Sequence, residues 1–436
     1  MTSSRYDAAG PPTVDGVTSA VEPAALGEDA PEIVVLAPRD GTPHPLTTPA
    51  ELSDFCRLLA GGTGPAAIDA ERASGYRYSQ RAYLVQIRRD GAGTALIDPT
   101  ALPDLSSVGA VLQDTEWVLH AANQDLPCLA EVGMRPTLLF DTELAGRLAG
   151  FERVGLGAIV GQVLGLHLEK GHSAADWSTR PLPREWLTYA ALDVEVLVEL
   201  RDALDATLRL QGKRGWAGQE FAALVEATPG PPRIDPWRRT SGIHKLPSRR
   251  QLAAVRELWT VRDEIARRRD IAPGRILPDS AVIAAANAEP RTSEDLLGLR
   301  VFAGRANRRL TGTWFGALQR ARALPAEQLP PISLVSDAPP PPSRWTDRKP
   351  EAAARLAAAR AGLAALSQSL QVPVENLLTP DVVRRLAWDP PADHSERSVA
   401  ALLAEGGARP WQIELTAGLL GAALDPPTAE PADPAT

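Results

Sequence analysis

The chain reads as an α/β domain with a mixed sheet, followed by two all-helical units. Three observations predict this. Strand and helix patterns alternate over residues 31–210, the strand signal then fades, and two proline-rich stretches divide the rest of the chain. A soft prior of ~100–200 residues per domain gives 436 residues two to four units.

Residues 1–30 are rich in Ala, Gly, Pro and acids and are expected to be a disordered tail, since they offer little apolar surface to offset ordering entropy. Structure begins near "EIVVLAP". "TTPAELSDFCRLLAG" then carries a helix start, with Thr48 as N-cap, Pro49 at the first position and Glu51 closing a capping box. "AAIDAE", "AYLVQIRR", "TALIDP" and "EWVLHAA" read as strands, and the close spacing of the first three predicts hairpin connections. "SSVGAVLQ", "QDLPCLAEVG", "DTELAGRLAG", "LGAIVGQVLG" and "REWLTYAALDVEVLVELRDAL" read as helices. A linker is expected over 211–243, a helical unit over 244–324, a proline-rich linker over 325–350, a second helical unit over 351–424 and a disordered tail over 425–436.

With 44% apolar and 23% charged residues, and no apolar run near the ~20 residues of a membrane span, the composition is that of an ordinary soluble protein. The N-terminus lacks the profile of a secretory leader, so a cytoplasmic location is expected. Cys56 and Cys128 make neither a disulfide framework nor a zinc cluster, and the six histidines lack metal-binding spacing. The net charge of −8 hides a polarity along the chain. Residues 1–32 hold six acids against Arg5, whereas residues 300–322 hold six arginines and no acid. A basic middle between acidic ends fits a phosphate-binding footprint, and equally an arginine-rich solvated face.

The chemistry sits at element boundaries. In "AAIDAERASGYRYSQRAYLVQI", residues 66–87, Asp69 and Glu71 end an apolar strand. Strand side chains alternate sides, so these two carboxylates share a face and repel unless an arginine, a proton or a metal ion holds them. Asp125 opens the helix after "EWVLHAA", and Asp193 follows Tyr189 by four residues, which puts phenol and carboxylate on one helix face. Four converging carboxylates favour two divalent cations roughly 3.5–4 Å apart as counter-charge. Oxygen-only ligands select hard ions, Mg2+ or Mn2+. Such a pair supports in-line phosphodiester hydrolysis, with Tyr189 orienting the attacking water.

The D-x-E of "IDAE", the H-x4-DL of "HAANQDL" and the Y-x3-D of "YAALD", in that order, resemble the three exonuclease motifs of the DEDD superfamily in its tyrosine-containing branch. "GLGAIVGQVLGLHLEKGHSAADWSTRPLPREWLTYAALDV" is similar to the stretch that ribonuclease D carries before its third motif, including the "DW" and "RPL" words. "LPSRRQLAAVRELWTVRDEIARRRDIAPGRILPDSAVIAAA" looks like an HRDC domain, the helical module shared by RecQ-type helicases and ribonuclease D. The resemblance covers residues ~35–424. It implies a ribonuclease H-like exonuclease domain followed by two HRDC-like domains. It also implies a 3′–5′ exoribonuclease that removes nucleotides singly from RNA 3′ ends, tRNA precursors being the usual family substrate. By motif position Asp69, Glu71, Asp125 and Asp193 would ligate two divalent cations, and Tyr189 would hold the nucleophilic water. The family often has Thr where Ala70 stands and a longer hydrophobic residue where Arg72 stands; neither change removes a ligand. A monomer without membrane contact is expected. Two other readings stand beside this one: a catalytically weak RNA-binding scaffold that keeps the fold, and an exonuclease acting mainly on DNA.

Plainer roles compete at single positions. Asp125 can cap its helix, and Tyr189 can be a packing residue. His120 reads as a hydrogen-bonded structural histidine and Asp141 as an N-cap near the site. Gln86 can approach a terminal nucleotide or be a polar position on the sheet. Asp176 can cap or pair locally, and Trp177 reads as a packing anchor. Lys170 can meet a phosphate or be a solvated loop lysine. Arg305, Arg308 and Arg309 read as a solvated face, with RNA backbone contact as the alternative. Tyr76, Arg77, Tyr78 and Arg81 form a candidate lip over the RNA 3′ end.

Overall fold

The computed structural model describes residues 33–425 apart from 36, 169–170, 173, 229 and 335–337. The expected tails, save Asp425, and Lys170 lie outside the described residues. The first unit runs β1 (Ile33–Val35), β2 (Pro45–Leu46), α1 (Pro49–Gly61), β3 (Thr63–Arg72), β4 (Ala82–Asp90), β5 (Gly93–Ile97), α2 (Ser106–Val111), β6 (Glu116–Leu119), α3 (Leu126–Glu131) and β7 (Leu138–Asp141). It continues through α4 (Thr142–Ala149), α5 (Leu156–Leu164), β8 (Leu166–Leu168), α6 (Arg184–Glu195), α7 (Leu197–Leu210) and α8 (Arg214–Glu226). Six strands form one mixed sheet in the order β2-β5-β4-β3-β6-β7. β3, β4 and β5 are antiparallel neighbours, as the hairpin spacing predicts, whereas β6 and β7 add parallel to β3. The capping box at the start of α1 forms as read, with Thr48 accepting from the Glu51 N–H and Glu51 accepting from the Thr48 N–H.

Strands β2, β7 and β8 and a helical turn at Trp345–Arg348, inside the expected 325–350 linker, are not among the elements the sequence patterns predict, and two further elements differ. The long helix expected after "RPLP" breaks at Val196, which separates α6 from α7. Val194, Val196 and Val198 crowd χ1 against the preceding turn, and this weakens the helix there. Residues 214–226, inside the stretch expected as a linker, form α8, and its Phe221 ring lies 4.8 Å from Phe140 of β7. α8 therefore belongs to the sheet's core.

The second unit contains α9 (Arg249–Arg269), α10 (Pro273–Ile276), α11 (Asp279–Ala288), α12 (Ser293–Gly298), α13 (Arg305–Arg309) and α14 (Thr311–Ala323) around buried Trp314 and Leu258. The third contains α15 (Trp345–Arg348), α16 (Pro350–Leu370), α17 (Val374–Leu377), α18 (Pro380–Trp388), α19 (Glu396–Glu405) and α20 (Pro410–Leu424). Its own core surrounds Leu363 and Leu420, yet Val372, Leu377 and Trp411 are buried in the core of the first unit. Among the described residues no helix is long and apolar enough to cross a membrane.

Candidate active site

Asp69 and Glu71 lie on the face of β3 that meets α6, and Asp193 comes down from that helix to join them. One carboxylate oxygen from each of the three lies within 4.8 Å of the others. α6 is held over the sheet by Leu187, Ala190 and Ala191, which pack on Tyr83, Leu84 and Leu96. An ion group around buried Glu195 fixes the same helix. Glu195 receives Arg39 Nε at 2.8 Å and Arg88 Nη2 at 3.5 Å, and so ties the turn below Asp193 to β4.

Asp125 opens α3, but its side chain makes no capping bond. Its carboxylate instead faces Arg72 Nη2 at 3.5 Å. The turn that presents it contains Ala121 in the left-handed region at φ 58°. Asp141 holds that turn: its carboxylate accepts from the N–H groups of Ala121 and Ala122 at 3.1 and 2.8 Å, besides capping α4 through Glu143 and Leu144. The N-cap reading of Asp141 is therefore right and incomplete. It is a positioning residue for the Asp125 turn.

Burial controls the charges. It raises the Asp69 carboxyl to about 6 and the Asp125 carboxyl to about 8, with mutual repulsion adding to the effect on Asp125 and Arg72 only partly opposing both. Glu71 and Asp193 are pushed well above the usual carboxylate range by burial and then by their acidic neighbours. Such a cluster holds protons or cations, because without either its charges cannot share the space. The donor set is all oxygen and fits hard divalent ions. Tyr189 hydrogen-bonds Asp193, and burial and the acids keep its hydroxyl protonated.

Asp69, Tyr189 and Asp193 line one side of a cleft of about 470 Å³ whose remaining wall includes His120, Leu156 and Leu168. Trp177 is fully buried beneath it, with Trp186 and Tyr189 around its ring, so the packing-anchor reading holds. Asp176 accepts locally from the Ser178 N–H and hydroxyl. Sequence reasoning missed Arg180, whose guanidinium grips Asp98 at 2.7 and 2.8 Å and the Tyr83 carbonyl at 2.7 Å, pinning the "DW" to "RPL" loop to the sheet.

Two expectations change. Gln86 pairs with Asp69 across β3 and β4 but is fully buried, with both amide atoms unpartnered among the described residues, so a nucleotide cannot reach it. The expected lip docks onto the second unit instead. Tyr78 donates to Asp263, Asp270 accepts from the Ser79 N–H and the Tyr83 hydroxyl, and Arg275 stacks over Tyr76 at 4.0 Å. Arg77 turns to Ser178 at 2.7 Å. Arg305, Arg308 and Arg309 are exposed on α13, in a different unit from the cleft.

With this geometry in place, likeness to known proteins is decisive. Residues 43–209 match a family described as 3′-5′ exonuclease, 251–317 the HRDC domain, and 338–424 the 3′ to 5′ exonuclease C-terminal domain. Ribonuclease D of Granulibacter bethesdensis is 31% identical over 362 residues, covering 81% of this chain and 88% of that protein. The chain belongs to the ribonuclease D family. It is accordingly a 3′–5′ exoribonuclease, a hydrolase of phosphodiester bonds. A crystal structure of a protein from Bifidobacterium adolescentis superposes with a TM-score of 0.84 at 38% identity, covering 91% of this chain and all of that one (100%). Escherichia coli RNase D, described as an exoribonuclease involved in structured RNA processing, superposes at 0.64 with 26% identity over 88% of this chain and 98% of its own.

Proposed function

We propose that Asp69, Glu71, Asp125 and Asp193 hold two divalent cations, Mg2+ or Mn2+, and that this ribonuclease D trims the 3′ ends of structured RNA, tRNA precursors among them. The observation that carries this reading is the convergence of the Asp69, Glu71 and Asp193 carboxylates beside the cleft. When bound, the cations supply Lewis acidity that activates water and stabilises the leaving oxygen. The chain's own residues do the positioning. Asp193 fixes the Tyr189 hydroxyl by hydrogen bond, and Tyr189, protonated throughout the neutral range, orients the attacking water as a dipole rather than removing its proton. Leu156, Leu168 and Leu197 give the cleft an apolar wall suited to a base face of any identity. Arg305, Arg308 and Arg309 are the phosphate contacts outside the cleft in this reading.

The test is product analysis by gel on a 5′-labelled tRNA precursor, single-stranded RNA and matched DNA. Wild type with Mg2+ should yield a ladder of 3′-shortened products on RNA, and Asp69→Asn or Asp193→Asn should slow it by at least ~100-fold. Shortening that survives EDTA, or either variant at wild-type rate, would sink the reading. Replacing the three arginines by Gln should weaken RNA binding and flatten its salt dependence without changing the metal requirement.

A further inference from the structure

We propose that His120 accepts a hydrogen bond from a ribose hydroxyl of the nucleotide held in the cleft. This deepens the exoribonuclease reading and rests on it. Outside the Asp69, Tyr189 and Asp193 cluster, His120 is the polar side chain among the described residues lining the cleft. Its tautomer is set by its partner. Thr142 Oγ1 lies 2.9 Å from His120 Nδ1 and donates to the Leu119 carbonyl at 3.2 Å. A hydroxyl has one proton, and a carbonyl can only accept. The arrangement that satisfies all three groups at once puts the Thr142 proton on Leu119 and lets the Thr142 oxygen accept from Nδ1–H.

Burial depresses the His120 imidazolium to about 4, so the ring is neutral under working conditions and Nε2 carries a lone pair. Nδ1 makes the ring's one hydrogen bond among the described residues, which leaves Nε2 as the group His120 can present to the cleft. An acceptor of this kind cannot bind a phosphate oxygen, which is an acceptor itself. It needs a donor. An enzyme that removes nucleotides singly meets every base, and the donor common to all RNA nucleotides is a ribose hydroxyl.

The experiment compares kcat/KM on an RNA oligonucleotide with that on three copies bearing a single 2′-deoxy at the last nucleotide, a single 2′-deoxy at the second-last, or a 3′-deoxy end. The decisive variant is His120→Asn, whose amide nitrogen replaces Nδ1–H toward Thr142 and leaves nothing where Nε2 stands. His120→Gln restores an acceptor at that place. Wild type should lose about tenfold on at least one modified substrate. His120→Asn should lose about tenfold on unmodified RNA and treat that substrate pair within about twofold, and His120→Gln should regain part of the discrimination. The affected substrate identifies which hydroxyl is read. If His120→Asn keeps the wild-type ratios on all three, or wild type shows no preference on any, the proposal is wrong while the exoribonuclease reading stands. Absence of all shortening by wild type would remove both.

Discussion

Arg72 is the residue whose charge most directly contests the site, because its guanidinium faces Asp125 while the other three carboxylates make no ion pair among the described residues. A divalent ion at Asp125 has to displace that contact. Arg72 is about a quarter exposed, at 25%, so the pair contributes on the order of 1 kcal/mol. Arg72→Met should then tighten Mn2+ binding about fivefold, read by EPR-monitored titration of the catalytically silent protein without RNA. Unchanged or weaker binding would show that Arg72 does not compete. The acids make a second prediction. In metal-free protein Asp69 titrates at about 6 and Asp125 at about 8, against ordinary values near 3.8. Between those limits the folded state keeps protons that the unfolded chain has shed. Their stabilising effect is complete at low pH and is lost as pH rises through 6 and then 8. The melting midpoint of EDTA-treated protein should therefore fall from about pH 5 to pH 8. Asp69→Asn, which cannot ionise, should lessen the fall, and Mg2+ should stabilise most at the alkaline end, where its ligands are free of protons. A midpoint that rises over this window, in EDTA, would contradict the burial-driven shifts.

Elements whose signals are local were legible, and those decided by neighbours were not. The Thr48 capping box, the β3 to β5 hairpins and the shared face of Tyr189 and Asp193 each come from spacing alone, and all three form. The break at Val196 escaped the reading because apolar periodicity runs straight through it. Gln86 looked available because strand periodicity says which face a residue takes, not that α6 seals that face. The loop between β3 and β4 was misjudged for the same reason. Its tyrosines and arginines suit RNA, but the partner that claims them is 185 residues away in sequence, where Tyr78 meets Asp263. Asp270, in the left-handed region at φ 47°, accepts from both Ser79 and Tyr83 and so clamps the loop that leaves the acidic strand. Asp270→Ala should raise hydrogen–deuterium exchange across residues 73–81 while leaving exchange in β6 and β7 unchanged. Asp270→Asn, which retains acceptor capacity, should show a smaller effect. Equal exchange in wild type and Asp270→Ala would mean that the contact does not order the loop.

At the scale of the molecule, the catalytic unit is not closed by its own residues. The linker reading of 211–243 fails over residues 214–226 because α8 gains its burial from two distant neighbours, the sheet and the third unit. Phe221 packs inward on Phe140, while Trp216 turns the other way and stacks on Trp411 of α20 at 5.0 Å and 15°. Trp411 is 1% exposed, its backbone N–H donates to Gln219 at 3.0 Å, and its indole N–H donates to Glu220 at 2.9 Å. No periodicity in α8 or α20 could reveal this pairing, since the two helices lie 191 residues apart at Glu220 and Trp411. A chain truncated before the third unit would expose the α8 surface, so deletion confounds binding with stability. Trp411→Ala is a cleaner probe. It removes the stack and leaves Glu220 without its indole partner, a change that costs ~3–5 kcal/mol in a packed core. Because the residue sits at the junction, the loss should fall on docking: calorimetry should show one transition for wild type and two for Trp411→Ala, with the third unit melting first. Trp411→Phe, which keeps a ring to stack on Trp216 but no indole N–H, should lie between them. A single transition at the wild-type midpoint for Trp411→Ala would show that the third unit is held by its other contacts, and that the catalytic unit does not depend on this one.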